Sequence, residues 1–138
     1  MTEILKLSGA TALAMHTMAL LASAPRTRKT WEMARSMGVH EFHLSKVLIR
    51  LTNRGYLEAI RGPQGGYRLA KDPRKVRLIE VYEAMEGKFA PQDCLLGKPV
   101  CPRRKCVLGG LIKKINKEVG DYLKNTRVSD LAEKDGKE

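Results

Sequence analysis

Aromatic residues are scarce: two Phe, one Trp and four Tyr in 138 residues. Proteins that grip single-stranded nucleic acid stack bases on aromatic platforms, so that class is disfavoured. Long apolar runs are missing too. No stretch of about 18 apolar residues exists, and no membrane-spanning helix is expected. The nearest approach, Ala10 to Ala24, ends in Ala22-Ser23-Ala24, which is similar to a signal-peptidase site. Thr11, His16 and Thr17 interrupt it, and Glu3 sits where a basic head belongs, so a cleaved leader is not expected. Cysteines number only three, an odd count, all within thirteen residues. Secreted disulfide frameworks use even numbers, so a reducing cytoplasm with thiolates free to bind metal fits better. No acid–base pair or nucleophile constellation stands out, and an enzyme is not expected.

Acidic residues are also outnumbered, 15 against 26 Lys and Arg, which leaves a net charge of +11. The excess is uneven. Residues 1–78 hold 14 basic and 5 acidic side chains, whereas residues 79–138 hold 12 and 10. A polyanionic partner is therefore expected, met by the N-terminal half. With 43% hydrophobic residues the chain has material for one core, and its length suits one domain.

Apolar periodicity predicts a helix over about Leu7 to Leu21. Leu13, Met15, Met18, Leu20 and Leu21 are too many for a narrow stripe, so this helix reads as well buried, with its Met residues as core filler and His16 as a satisfied core histidine. Pro25 follows its end. A short helix, Thr30 to Met37, then Gly38-Val39, then a helix from His40 to Asn53 make a helix-turn-helix. Leu44, Val47, Leu48 and Leu51 form the apolar stripe of the second helix, which also carries Phe42, and Arg54-Gly55 stops it. Two strands, Tyr56 to Arg61 and Gly66 to Ala70, flank a Gly/Pro loop and read as a hairpin. Helix-turn-helix plus basic hairpin is a winged helix. A connecting helix is predicted over Arg77 to Glu86, and a long one over Cys106 to Lys124. Leu108, Ile112, Ile115, Val119 and Tyr122 give that last helix a heptad seam suited to a dimer contact.

The fold class is thus mainly α with a small β-hairpin: a winged helix-turn-helix plus a long C-terminal dimerisation helix. The expected divisions are 1–75 for the DNA-binding domain, 76–90 for the connecting helix, 91–106 for the cysteine loop and 107–132 for the dimerisation helix and C-terminal segment. The charged tail, Glu133 to Glu138, is expected to fray.

The helix His40 to Asn53 presents His40, Glu41, His43, Ser45, Lys46 and Arg50 away from its stripe. Alone, these would mark an ordinary solvated face. The Gly38 turn before them and the hairpin after them make the helix a candidate for the major groove, where Glu accepts from cytosine, Ser and His bond several bases, and Lys and Arg reach guanine or phosphate. In the wing, Gly65 and its neighbouring glycines allow close approach to phosphate, and Arg61 or Arg68 can enter a minor groove.

The cysteines are spaced Cys94-x6-Cys101-x4-Cys106. Structural zinc sites usually carry a second matched pair, absent here. Three thiolates on a Pro- and Gly-rich loop suit an iron–sulfur cluster, with a fourth ligand from elsewhere. Lys98, Arg103, Arg104 and Lys105 interleave with them and favour thiolate.

The layout resembles the IscR/NsrR/CymR superfamily of bacterial winged-helix regulators. The wing Arg61-Gly62-Pro63-Gln64-Gly65-Gly66-Tyr67-Arg68-Leu69-Ala70 is similar to that family's most distinctive motif, and Leu44, Leu51 and Gly55-Tyr56-Leu57 fit its recognition helix. The stretch Asp93-Cys94-Leu95-Leu96-Gly97-Lys98-Pro99-Val100-Cys101-Pro102 resembles the cluster loop of its iron–sulfur branch. The similarity runs from about Leu7 to Leu131. It implies a homodimer on a palindromic site in double-stranded promoter DNA, with Glu41, His43, Ser45 and Lys46 on the reading helix and Arg61 in the wing. It also implies a [2Fe–2S] or [4Fe–4S] cluster on Cys94, Cys101 and Cys106 whose state controls binding. Two departures leave the fourth ligand open. Gly109 stands where the IscR branch has a His three residues after the third cysteine. Ala10 stands where the NsrR branch has a carboxylate donated by the partner subunit. Glu3 from the partner, a His or a small exogenous ligand could serve. A cluster-free thiol redox regulator and an iron–sulfur carrier are the rival readings, separated by iron and sulfide analysis and by preference for a DNA sequence.

Overall fold

The computed structural model describes residues 6–24, 26–94 and 104–133. The first helix, α1 (Gly9–Ser23), starts where Ser8 accepts a hydrogen bond from the Thr11 amide at 3.2 Å. Serine is a favoured cap because its oxygen satisfies one of the orphan amides of the first turn. Helix α2 (Thr30–Met37) opens with the Glu32 carboxylate accepting from the Lys29 amide at 2.9 Å. It closes at Gly38, whose φ of 66° is the left-handed cap that favours glycine. Helix α3 (Glu41–Asn53) follows after two residues and buries Leu44, Val47, Leu48 and Leu51. These boundaries match the expected helix-turn-helix to within a residue.

Strands β1 (Leu57–Ile60) and β2 (Gly66–Leu69) pair antiparallel, with Glu58 opposite Arg68 and Ala59 opposite Tyr67. A third position joins the sheet. Arg28 exchanges two backbone hydrogen bonds with Tyr67, at 2.9 and 2.8 Å, so the segment entering α2 is tied to the wing. After a 3₁₀ turn (Pro73–Lys75) come α4 (Leu78–Glu86), α5 (Leu111–Asn125) and a last 3₁₀ turn (Val128–Leu131).

One core gathers Met18 and Leu21 from α1, Met33 from α2, the α3 stripe, Leu57, Val81 and Val128. The segment after α5 returns to the N-terminal half: Val128 donates to the Val76 carbonyl and Leu78 to the Thr126 carbonyl, both at 2.8 Å. Val76, Val81 and Val128 lie in the same buried cluster as Met18, Leu44 and Leu57. A smaller cluster, Leu78, Ile79, Tyr82 and Leu123, joins α4 to α5. Among the described residues no helix is long and apolar enough to cross a membrane.

Three expectations are corrected. Helix α5 begins at Leu111, not Cys106, because Gly109 turns left-handed at φ 63° and a second glycine follows, so Cys106 to Gly110 is a turn. Glycine loses the most backbone freedom in a helix, and two together stop it. The heptad seam is not one inter-subunit stripe. Ile112 and Leu123 are buried within the chain, in a row with Asn116 and Gly120, whereas Leu111 and, three turns further along, Tyr122 are exposed. His16 is not a core residue: it lies exposed on α1, its Nδ1 donating to the Ala12 carbonyl one turn back at 2.7 Å.

The N-terminus of α1 is fastened to the last turn of α4. The Glu86 carboxylate accepts from the Thr11 hydroxyl at 2.5 Å and from the Ser8 amide at 2.8 Å. The Thr11 bond, chiefly, holds the Glu86 carboxyl below the usual glutamate range, with the Ser8 amide and Lys6 assisting and burial opposing. A carboxylate whose folded pKa is depressed stabilises the fold above its unfolded pKa, and that contribution fades as pH falls through the folded value. Melting curves of the Glu86→Gln variant should therefore lie below those of the parent at neutral pH and approach them as pH falls below the ordinary glutamate value of about 4.3. Parallel profiles across the acid range would contradict this.

Candidate nucleic-acid interface and thiol loop

At 100° per residue, the buried stripe of α3 places Phe42, Lys46 and Ile49 on the opposite side, flanked by Glu41 and Ser45 on one edge and His43 and Arg50 on the other. The structure agrees. His40, Glu41, His43 and Lys46 are exposed, and Ser45 is half-buried. The His40 and His43 rings meet edge to face with centroids 6.0 Å apart. Lys46 Nζ stands 4.6 Å from the centre of the Phe42 ring. These side chains form one cluster on the first turns of α3.

Arg50 is exposed overall, yet its Nε donates to the Ala84 carbonyl in the last turn of α4 at 3.0 Å. It braces the reading helix against the connecting helix, a role that sequence spacing did not suggest. Phe42, apolar like its helix's core residues, is 64% exposed, and its position opposite the Leu44–Leu51 stripe is the sequence signal for that.

In the wing, Arg61 is exposed and has no ion-pair partner among the described residues, whereas Arg68 pairs with Glu58 across the hairpin at 3.0 Å. Gly65 is buried. A β-carbon there would overlap the Ile60 carbonyl and crowd that of Gly62, which already accepts from the Gly65 amide at 2.9 Å. Its role is to let the tip fold tightly. Lys29 also belongs to this region, which sequence reading missed: its Nζ donates to the Pro63 carbonyl at 2.8 Å and fixes the tip to the start of α2.

A groove of about 630 Å³ lies between α1 and α3. Ala10 lines it together with His40 and His43, so the position that matches the carboxylate of the NsrR branch faces two imidazoles of the same chain.

Of the thiols, Cys94 is half-buried, Cys106 is exposed, and both are free. Cys101, Lys98, Arg103 and the candidate ligand Glu3 lie outside the described residues. Among the described residues no group of three or more His, Cys, Asp or Glu is arranged to hold a metal. The approaches to the loop are anchored. The Phe89 amide donates to Glu83 at 2.9 Å, and the buried Asn116 on α5 donates to the Gln92 carbonyl at 2.7 Å. At the far end Cys106 caps the Gly109 turn, with Arg104 and Lys105 exposed beside it. The donor chemistry fits an iron–sulfur cluster: soft thiols with cationic neighbours that offset the charge of the thiolates.

A family model named Rrf2 and described as an iron-dependent transcriptional regulator matches residues 7–134. Protein aau3 of Rhizobium meliloti is 31% identical over 112 residues, 80% of this chain and 73% of its own. The transcriptional regulator NsrR of Bacillus licheniformis is 35% identical over 95 residues, 67% of this chain and 64% of its own. Among solved structures, CymR, the global cysteine regulator of B. subtilis, superposes with a TM-score of 0.75 at 25% identity, covering 93% of this chain and 96% of that one.

Proposed function

The chain belongs to the Rrf2 family of transcriptional regulators, and on that premise we propose that it is a cytoplasmic, homodimeric regulator whose grip on promoter DNA is set by an iron–sulfur cluster. The observation that carries this reading is the coexistence of an exposed, basic reading helix and wing with cysteines whose loop is anchored to α4 and α5. His40, Glu41, His43, Ser45 and Lys46 meet base edges in the major groove, and Arg61 and Arg68 approach the minor groove or its phosphates. Gly65 shapes the wing tip, and Arg50 holds α3 at its angle to α4.

Cys94, Cys101 and Cys106 would hold the cluster, which when bound supplies a centre responsive to oxidants, nitric oxide or iron supply. The loop they share joins α4 to α5. A cluster held there would act on the last turn of α4, which Arg50 joins directly to α3. Leu111 and Tyr122, exposed on α5, are the apolar surface for the second subunit. Half-sites of a palindrome lie a fixed distance apart, so a small change of angle costs contacts in both. A tenfold change in affinity requires only about 1.4 kcal/mol of coupling.

The test is anaerobic purification with iron and acid-labile sulfide analysis, an absorption spectrum, and DNA binding before and after iron removal. Two or four irons per chain, with a shift in DNA affinity on their loss, are expected. Iron-free, colourless protein whose binding follows thiol oxidation would replace this reading with a thiol sensor. DNA binding itself should weaken steeply with salt, because Lys and Arg contacts release counterions. In Arg61→Ala the slope of log affinity against log salt should fall by about one per subunit. An unchanged slope would remove the wing arginine from the interface.

A further inference from the structure

The chain has two phenylalanines, and the structure treats them oppositely. Phe89 packs edge to face on Tyr82, with ring centroids 5.4 Å apart. Phe42 is 64% exposed in the first turn of α3. The fold forgoes the gain of burying this ring. Its contacts are those of a ring held in place at the surface: Lys46 Nζ at 4.6 Å from its centre, and the His43 ring at 6.0 Å between centroids.

The surroundings are polar, with Glu41, His43 and Lys46 all exposed. Ile49, two turns further along this side of α3, is exposed as well, but Lys46 lies between the two, so they do not make the contiguous apolar patch of several hundred Å² that marks a protein interface. In the major groove, however, one base offers an apolar feature, the 5-methyl group of thymine, and apolar side chains such as Phe read it. The residues that meet base edges are those at the N-terminus of the reading helix, and Phe42 is the second residue of α3. The geometry points to Phe42 as a specificity-determining residue that selects thymine by its 5-methyl group in each half-site. Lys46, stacked on the ring, restrains its rotamer before binding and keeps its ammonium free for a neighbouring guanine or phosphate.

This inference rests on the DNA-binding reading, and the experiment separates the two. The full chain, in one fixed cluster state, is used to select its preferred duplex from a random pool. Each thymine of that duplex is then replaced by deoxyuridine, which removes only the methyl, and affinity is read by fluorescence anisotropy. The parent should lose about fourfold per half-site at one symmetric thymine position, the worth of one buried methyl group. Phe42→Ala, an exposed position whose loss leaves the core intact, should bind more weakly and no longer distinguish thymine from uracil there. No uracil penalty in the parent, or the same penalty in Phe42→Ala, overturns the inference while sequence-selective binding stands. Absence of any preferred duplex overturns the DNA-binding reading and the inference with it.

Discussion

Replacing Gly65 with alanine is expected to weaken promoter binding at least tenfold while leaving the helical fold in place. The added β-carbon has no room: the atoms it meets are the Ile60 carbonyl oxygen, the Gly62 carbonyl oxygen and the Arg61 carbonyl carbon, all backbone of the wing turn. A flexible side chain could step aside, but a turn closed by the Gly65–Gly62 hydrogen bond has to open. Forcing extra volume into such a packed site costs about 1–3 kcal/mol. The strain falls on the tip that carries Arg61, and one displaced charged hydrogen bond is worth roughly 1.5–3 kcal/mol, counted once in each half-site of a dimer. The helical core lies elsewhere, on Leu44, Leu48 and Met18, so far-UV circular dichroism should match the parent. Parent-like DNA affinity in Gly65→Ala would show that the tip does not touch DNA.

The parts of the molecule legible from sequence are those decided locally. Thr30–Met37 was delimited residue for residue because Gly38 is a left-handed cap, a property of glycine itself. The α3 stripe was legible because its three leucines and one valine repeat at the helical period. The errors arose where local signals compete or distant ones decide. Gly109-Gly110 outweighed the apolar period that seemed to extend α5 back to Cys106. A crowd of apolar residues in α1 concealed that a helix against one core still shows one face to solvent, which is where His16 lies. The Arg28–Tyr67 bridge, the Lys29–Pro63 clamp and the Arg50–Ala84 brace each join residues more than thirty positions apart, and no spacing rule reaches that far. The thiols were visible as a spaced set. A fourth ligand for a cluster was not, because the positions that supply one in the two branches the chain resembles are Gly109 and Ala10 here, and neither side chain has a donor atom.

Changing Cys94, Cys101 and Cys106 together to serine should abolish iron retention and, with it, the dependence of DNA affinity on iron. The last two turns of α4 hold three tethers at once: Glu83 takes the Phe89 amide at the loop entrance, Glu86 takes Ser8 and Thr11 at the start of α1, and the Ala84 carbonyl takes Arg50 from the reading helix. Asn116 ties the same entrance to α5 through Gln92. On the proposed reading, a cluster held by the three thiolates would pull on α4 and α5, and Arg50 is the direct bond from that turn of α4 to α3. Serine oxygens are poor ligands for soft iron–sulfur centres, so the variant keeps the tethers and loses the force applied to them. In the parent, anaerobic loading and chelation should change promoter affinity at least tenfold; in the triple variant the two preparations should agree within twofold, with salt dependence and sequence preference retained because α3 and the wing are untouched. A triple variant that still switches with iron would place the sensor somewhere other than this loop.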